Sequence, residues 1–161
     1  MRKLLTLLLP LSLAACGFTA PPRDNAQFVS TLYGVEITWR LVNPGTLGTD
    51  GRYAYVGYAQ ALPFGSTCVI DIDPTLARHQ LAHVAAHEAG HCLSARYALL
   101  GPKRPDLGPY FDSLTEGFAE TYAQAYTAAC GDSLKPLGWQ DLAAPTCTEA
   151  PDPRTVKAEA R

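Results

Sequence analysis

His87-Glu88-Ala89-Gly90-His91 reads H-E-x-x-H, inside an Ala- and Leu-rich stretch, residues 74–100, whose composition predicts one long helix. Asp73 offers an N-cap and Pro74 a preorganised first helical position, while Gly101-Pro102 marks a stop. Two His four residues apart on a helix project from the same face, one turn apart. That spacing sets two imidazole nitrogens where one zinc ion fits at roughly 2.0–2.1 Å from each. The Glu beside the first His is placed to take a proton from a water polarised by such an ion.

Upstream lie three strand-like runs. Val35-Glu36-Ile37-Thr38-Trp39-Arg40-Leu41 alternates with period two and is rich in β-formers. Tyr53-Ala54-Tyr55-Val56-Gly57-Tyr58-Ala59 is the second, after turn chemistry at Asn43-Pro44-Gly45 and Thr49-Asp50-Gly51. Thr67-Cys68-Val69-Ile70-Asp71-Ile72 is the third, set off by Pro63-Phe64-Gly65-Ser66. Short connections make a three-stranded antiparallel meander the simplest arrangement. Downstream, residues 101–112 form a Pro- and Gly-containing loop. A second helix follows, capped by Asp112 or Ser113, running to about Ala129 and stopped by Cys130-Gly131. The expected class is α+β.

A catalytic zinc needs three protein ligands and one open position. The second helix offers the third in Thr115-Glu116-Gly117-Phe118-Ala119-Glu120, where Glu116 and Glu120 share a face. Each also has a plainer reading. Glu116 completes a capping box with Ser113, and Glu120 could be a solvated helix residue. The stripe Phe118, Tyr122, Ala125 reads as core. His79 and His83 extend the His row backwards, but the row drifts about 40° per step, so both read as surface or capping groups. Asp106 and Asp112 are the fallback third ligands.

H-E-x-x-H followed by a helix carrying E-x-x-x-E resembles the gluzincin metallopeptidases, of which thermolysin is the familiar member. The resemblance covers roughly residues 67–130. It implies a small zincin-like fold, one zinc ion, Glu116 as third ligand and Glu120 as a carboxylate bonded to the free nitrogen of a ligand His. It implies metal-assisted hydrolysis of peptide bonds, with Glu88 as the catalytic base that later protonates the leaving amine. It further implies that a peptide lies along the strand before the motif helix, Thr67–Ile72. Metzincins are rejected, because His91-Cys92-Leu93-Ser94-Ala95-Arg96-Tyr97 lacks their Gly and third His. The chain is shorter than typical gluzincins and has no His after His91. Tyr110, Tyr122 and Tyr126 are therefore the candidates to stabilise an oxyanion.

At the N-terminus, Met1-Arg2-Lys3 is basic and residues 4–13 are mostly apolar, as in a signal peptide over residues 1–15. Leu13-Ala14-Ala15-Cys16 resembles a bacterial lipobox, which would make Cys16 the lipidated first mature residue. An ordinary signal cleaved near Ala15 or Ala20 is the alternative. Residues 16–27 then read as a lipid-anchored tether, 28–131 as the catalytic domain, and 132–161 as a stapled tail with a disordered end. Loss of Arg2 and Lys3 moves the formal charge from −2 to −4, which gives no footprint for nucleic acid. Gly17, which is not Asp, slightly favours the outer membrane.

Four cysteines follow Cys16, and an exported chain with an even count points to disulfides. Cys130 with Cys147 is the favoured pair, which leaves Cys68 with Cys92; a buried Cys92 thiol is the alternative. The expected partners are a peptide or protein substrate and a membrane, and nothing in the sequence sets an oligomeric state. Two other functions remain open: a non-catalytic zincin-fold binding lipoprotein, and a zinc amidase acting on cell-wall peptides.

Overall fold

The computed structural model describes residues 26–49 and 54–157. The signal peptide, the lipidation residue Cys16 and most of the tether lie outside the described residues. Four strands form one sheet: β1 (Gln27–Leu32), β2 (Val35–Leu41), β3 (Gly57–Ala61) and β4 (Thr67–Ile72). Two long helices follow, α1 (Arg78–Tyr97) and α2 (Leu114–Cys130). No helix among the described residues is long and apolar enough to cross a membrane.

The α+β class holds, but the sheet differs from the expected three-stranded meander. Its order is β1-β2-β4-β3, with β2 and β4 parallel and the other pairs antiparallel. Two physical causes account for this. β1, Gln27–Leu32, has no clean polar–apolar alternation and follows a Pro-containing stretch. It is joined to β2 by Tyr33-Gly34, both at positive φ, a two-residue hairpin turn without the usual Asn-Gly signature. β3 then stands at the far edge of the sheet and pairs antiparallel with β4. β3 also starts later than the alternation indicated, at Gly57. β1 opens at Gln27, inside the segment read as tether.

α1 is shorter at both ends than its composition predicts. Asp73 Oδ1 accepts from the Thr75 amide and hydroxyl, a local turn that competes with capping, and the helix starts at Arg78. At the other end Ala98 takes a left-handed conformation, and its N–H closes on Ser94 O three residues before Gly101. α2 matches its expected span. Ser113 Oγ accepts from the Glu116 amide at its N-terminus.

Val35, Ile37, Trp39, Leu41, Ile70 and Ile72 give the sheet its buried face. α1 meets it through Ala82, Ala85, Ala86, Ala89 and Leu93, all fully buried. Small residues let α1 lie close to its neighbours, and α2 packs on its far side. The tail to Lys157 is largely irregular, yet Leu134, Leu137, Trp139 and Ala150 are buried in the same core. The described part is thus packed, and the end of the expected disordered segment, residues 158–161, lies outside the described residues. Disulfides Cys68–Cys92 and Cys130–Cys147 pin β4 to α1 and the tail to α2. Two such bonds are the chemistry of an oxidising, non-cytoplasmic compartment.

Candidate metal centre

α1 and α2 run antiparallel, so the row His83, His87, His91 on one faces the row Glu116, Glu120 on the other. The helices approach closely at Gly90, where an added Cβ would stand 2.9 Å from Ala119 Cα. The rows therefore meet. Glu116 Oε2 lies 3.1 Å from His87 Nε2 and 3.3 Å from His91 Nε2. Donor atoms at 2.0–2.2 Å from one tetrahedral ion stand about 3.3–3.6 Å apart, close to these separations. Two nitrogens and one carboxylate oxygen, all within 4.8 Å of one another, make His87, His91 and Glu116 a group that could hold a metal ion. It is the one such group among the described residues, and three donors leave a position open.

Behind this group, Glu120 Oε2 lies 3.4 Å from His87 Nδ1. A proton on Nδ1 shared with Glu120 leaves the Nε2 lone pair for a metal. Burial alone would lower the His87 pKa. Hydrogen bonds to Glu116 and Glu120 outweigh it and raise the value to about 9. For Glu116, burial acts upward, but its bonds to His87 and His91 bring the pKa down to about 2. Glu120 is likewise held below the usual carboxylate range, against burial, by His83, His87 and Gln124.

Glu88 is not one of these three donors; it stands beside them on α1, at the cavity that His87 also lines. Only 5% exposed, it packs against Gly57, where an added Cβ would come 2.7 Å from Glu88 Oε1. Burial raises its pKa, partly offset by His87, His91 and a hydrogen bond from the Ala59 amide. His87 and Glu88 line a cavity of about 340 Å³ whose remaining walls include Tyr55, Val56, Val84 and Phe111. The loop over it carries the 3-10 turns Pro105–Leu107 and Pro109–Phe111, and the Phe111 ring sits edge-on to His87 at 6.0 Å.

Several sequence expectations change here. Tyr122 and Tyr126 are fully buried, with hydroxyls donating to Pro151 O and Ser133 O. They anchor the tail and are no oxyanion candidates. Tyr110 remains: it lines the cavity and bonds the Glu116 side chain. Its pKa is pushed up by burial and by the Glu116 and Glu88 carboxylates, so it stays a donor. Asp106 pairs with Arg104 and Asp112 with Lys103, both outside the metal group. Thr67–Ile72 is an interior strand between β2 and β3 and cannot serve as an open edge. The open edge near α1 is β3. The bond from Asp73 N to Val56 O fixes the ladder phase, so Gly57, Ala59 and Ala61 turn their backbone groups away from β4.

His83 makes a contact that the sequence did not single out. Its side chain is 37% exposed, as a surface group's would be, yet its Nε2 lies 3.1 Å from Glu120 Oε2. Its four-residue spacing from His87 was the available signal. The loop that brings Phe111 over His87 had none. No protein-family model, curated protein or solved structure matches this chain.

Proposed function

We propose that this chain is a small zinc metallopeptidase of gluzincin type, displayed on the bacterial cell envelope by a lipid on Cys16. The observation that carries the reading is the convergence of His87, His91 and Glu116, with Glu88 beside His87 at one cavity. A donor set of two imidazoles and one carboxylate with an open position suits catalytic zinc. When bound there, zinc would polarise a carbonyl and lower the pKa of a water towards about 7.

The chain's own residues supply the rest. Glu88 takes a proton from water and hands it to the departing amine, and its raised pKa brings it closer to the working pH for both transfers. Glu120 keeps His87 in the tautomer that leaves Nε2 free. The Tyr110 hydroxyl is the donor available to an oxyanion forming in the cavity. The outward backbone groups of Ala61 offer an extended peptide strand-like hydrogen bonds. The apolar walls exclude water around the reacting carbonyl. Leu13-Ala14-Ala15-Cys16 supports the lipid anchor, and the disulfides are consistent with an exported body.

Glu88→Gln tests the reading. The amide cannot accept a proton yet leaves the donor set intact. The variant should keep one zinc per chain and lose at least about 100-fold in hydrolysis of an unfolded protein substrate. Turnover near that of the unmutated protein would sink the assignment.

A further inference from the structure

We propose that His83 is a positioning residue of the metal centre: acting through Glu120, it holds the His87 ring with Nε2 turned toward the ion. The inference rests on the metal reading above and goes beyond its ligand set.

The geometry is a polar seam between antiparallel helices. On α1, His83 lies one turn before His87; on α2, Glu120 lies one turn after Glu116. Glu120 therefore faces His83 as Glu116 faces His91, with His87 shared between them. His83 Nε2 is 3.1 Å from Glu120 Oε2, the same oxygen that lies 3.4 Å from His87 Nδ1. Gln124 Nε2 donates to the other oxygen, Oε1, at 2.8 Å. Glu120 is only 6% exposed, so its carboxylate has little water to hold it. His83 and Gln124 grip it from opposite ends.

The contact to His87 is the longest of the three, near the limit for a hydrogen bond. A small drift of Glu120 would break it and free the His87 ring. A glutamate side chain has three rotatable bonds, and removing one grip permits that drift. The His83 side chain is itself 37% exposed, so core packing makes no demand for imidazole there. Nor is His83 within the group that could hold the metal. His83 also borders the cavity, but its side chain's one polar contact among the described residues is from Nε2 to Glu120.

The test is a zinc titration against a competing chelator, with the folded full chain. His83→Ala should lower zinc affinity by about 10–100-fold, the usual cost of losing a partner that orients a ligand. His83→Gln, whose amide nitrogen can donate from nearly the same place, should recover most of it. In a Glu120→Ala background, His83→Ala should add nothing, because its effect passes through Glu120. Should the alanine variant fail to fold, His83→Leu keeps the volume and removes the donor.

Unchanged affinity in His83→Ala overturns the proposal. So does an equal loss in the Glu120→Ala background, or a glutamine variant as weak as the alanine one. If the unmutated protein takes up no zinc, both this proposal and the metal reading fall. Zinc uptake with an inert His83 leaves the metal reading standing.

Discussion

Glu116 and Glu120 carry the same functional group one turn apart, yet their surroundings assign them different work. Glu116 Oε2 lies between two imidazole Nε2 atoms, and Glu120 Oε2 meets Nδ1 of His87. Glu116→Ala should therefore nearly empty the site, while Glu120→Ala should weaken zinc binding by about 10–100-fold and leave residual activity. Chelator competition on both variants reads the difference, and a larger loss from Glu120→Ala would reverse the two roles. At this scale much of the site was legible, because helix geometry converts a spacing of four into a shared face. His87, Glu88, His91 and Glu116 needed only that rule and one chain reversal. The grip of His83 on Glu120 needed the register between two helices, and the Ala59 amide on Glu88 needed the edge of the sheet. Neither is encoded in a local spacing.

At the scale of elements, the site depends on how closely α2 lies on α1. Gly90 sits between the turns of His87 and His91 and faces the α2 backbone. An alanine there would press its Cβ against Ala119 Cα and the Tyr122 side chain, and backbone cannot give as a flexible side chain can. Gly90→Ala should cost roughly 1–3 kcal/mol of stability by overpacking. Because Glu116 and Glu120 ride on α2, it should also weaken zinc binding. Denaturant unfolding together with chelator competition measures both, and a variant as stable and as tightly zinc-binding as the unmutated protein would contradict this packing account. The elements themselves were legible where local chemistry was strong: alternation in β2, the apolar run of β4, and Ser113 and Gly131 around α2. β1 escaped notice because Gln27, Ser30 and Thr31 dilute its pattern. The parallel pairing of β2 with β4 escaped because a long connection leaves strand order to tertiary contacts.

Across the whole molecule, the irregular tail is part of the domain rather than an appendage. Trp139 meets Trp39 at 5.3 Å and Phe28 at 5.1 Å, both edge-on, and the Tyr33, Tyr122 and Tyr126 hydroxyls bond tail carbonyls. Its apolar residues follow no period, since an irregular chain pinned at Cys147 can bury them at any spacing. That is why composition alone pointed to a disordered end. Replacing both Cys130 and Cys147 by Ser should lower stability by about 2–4 kcal/mol. The metal group should survive, because Cys68–Cys92 is the bond that touches the motif helix. An unchanged denaturation midpoint would contradict an anchoring role. The proposed function requires one ion held by three residues of two helices. Anomalous diffraction at the zinc absorption edge, from crystals of zinc-loaded protein, tests it most directly. A single peak is expected about 2.0–2.2 Å from His87 Nε2, His91 Nε2 and a Glu116 oxygen, with Glu88 outside coordination distance. No peak there, a peak elsewhere, or an ion bound by Glu88 would contradict it.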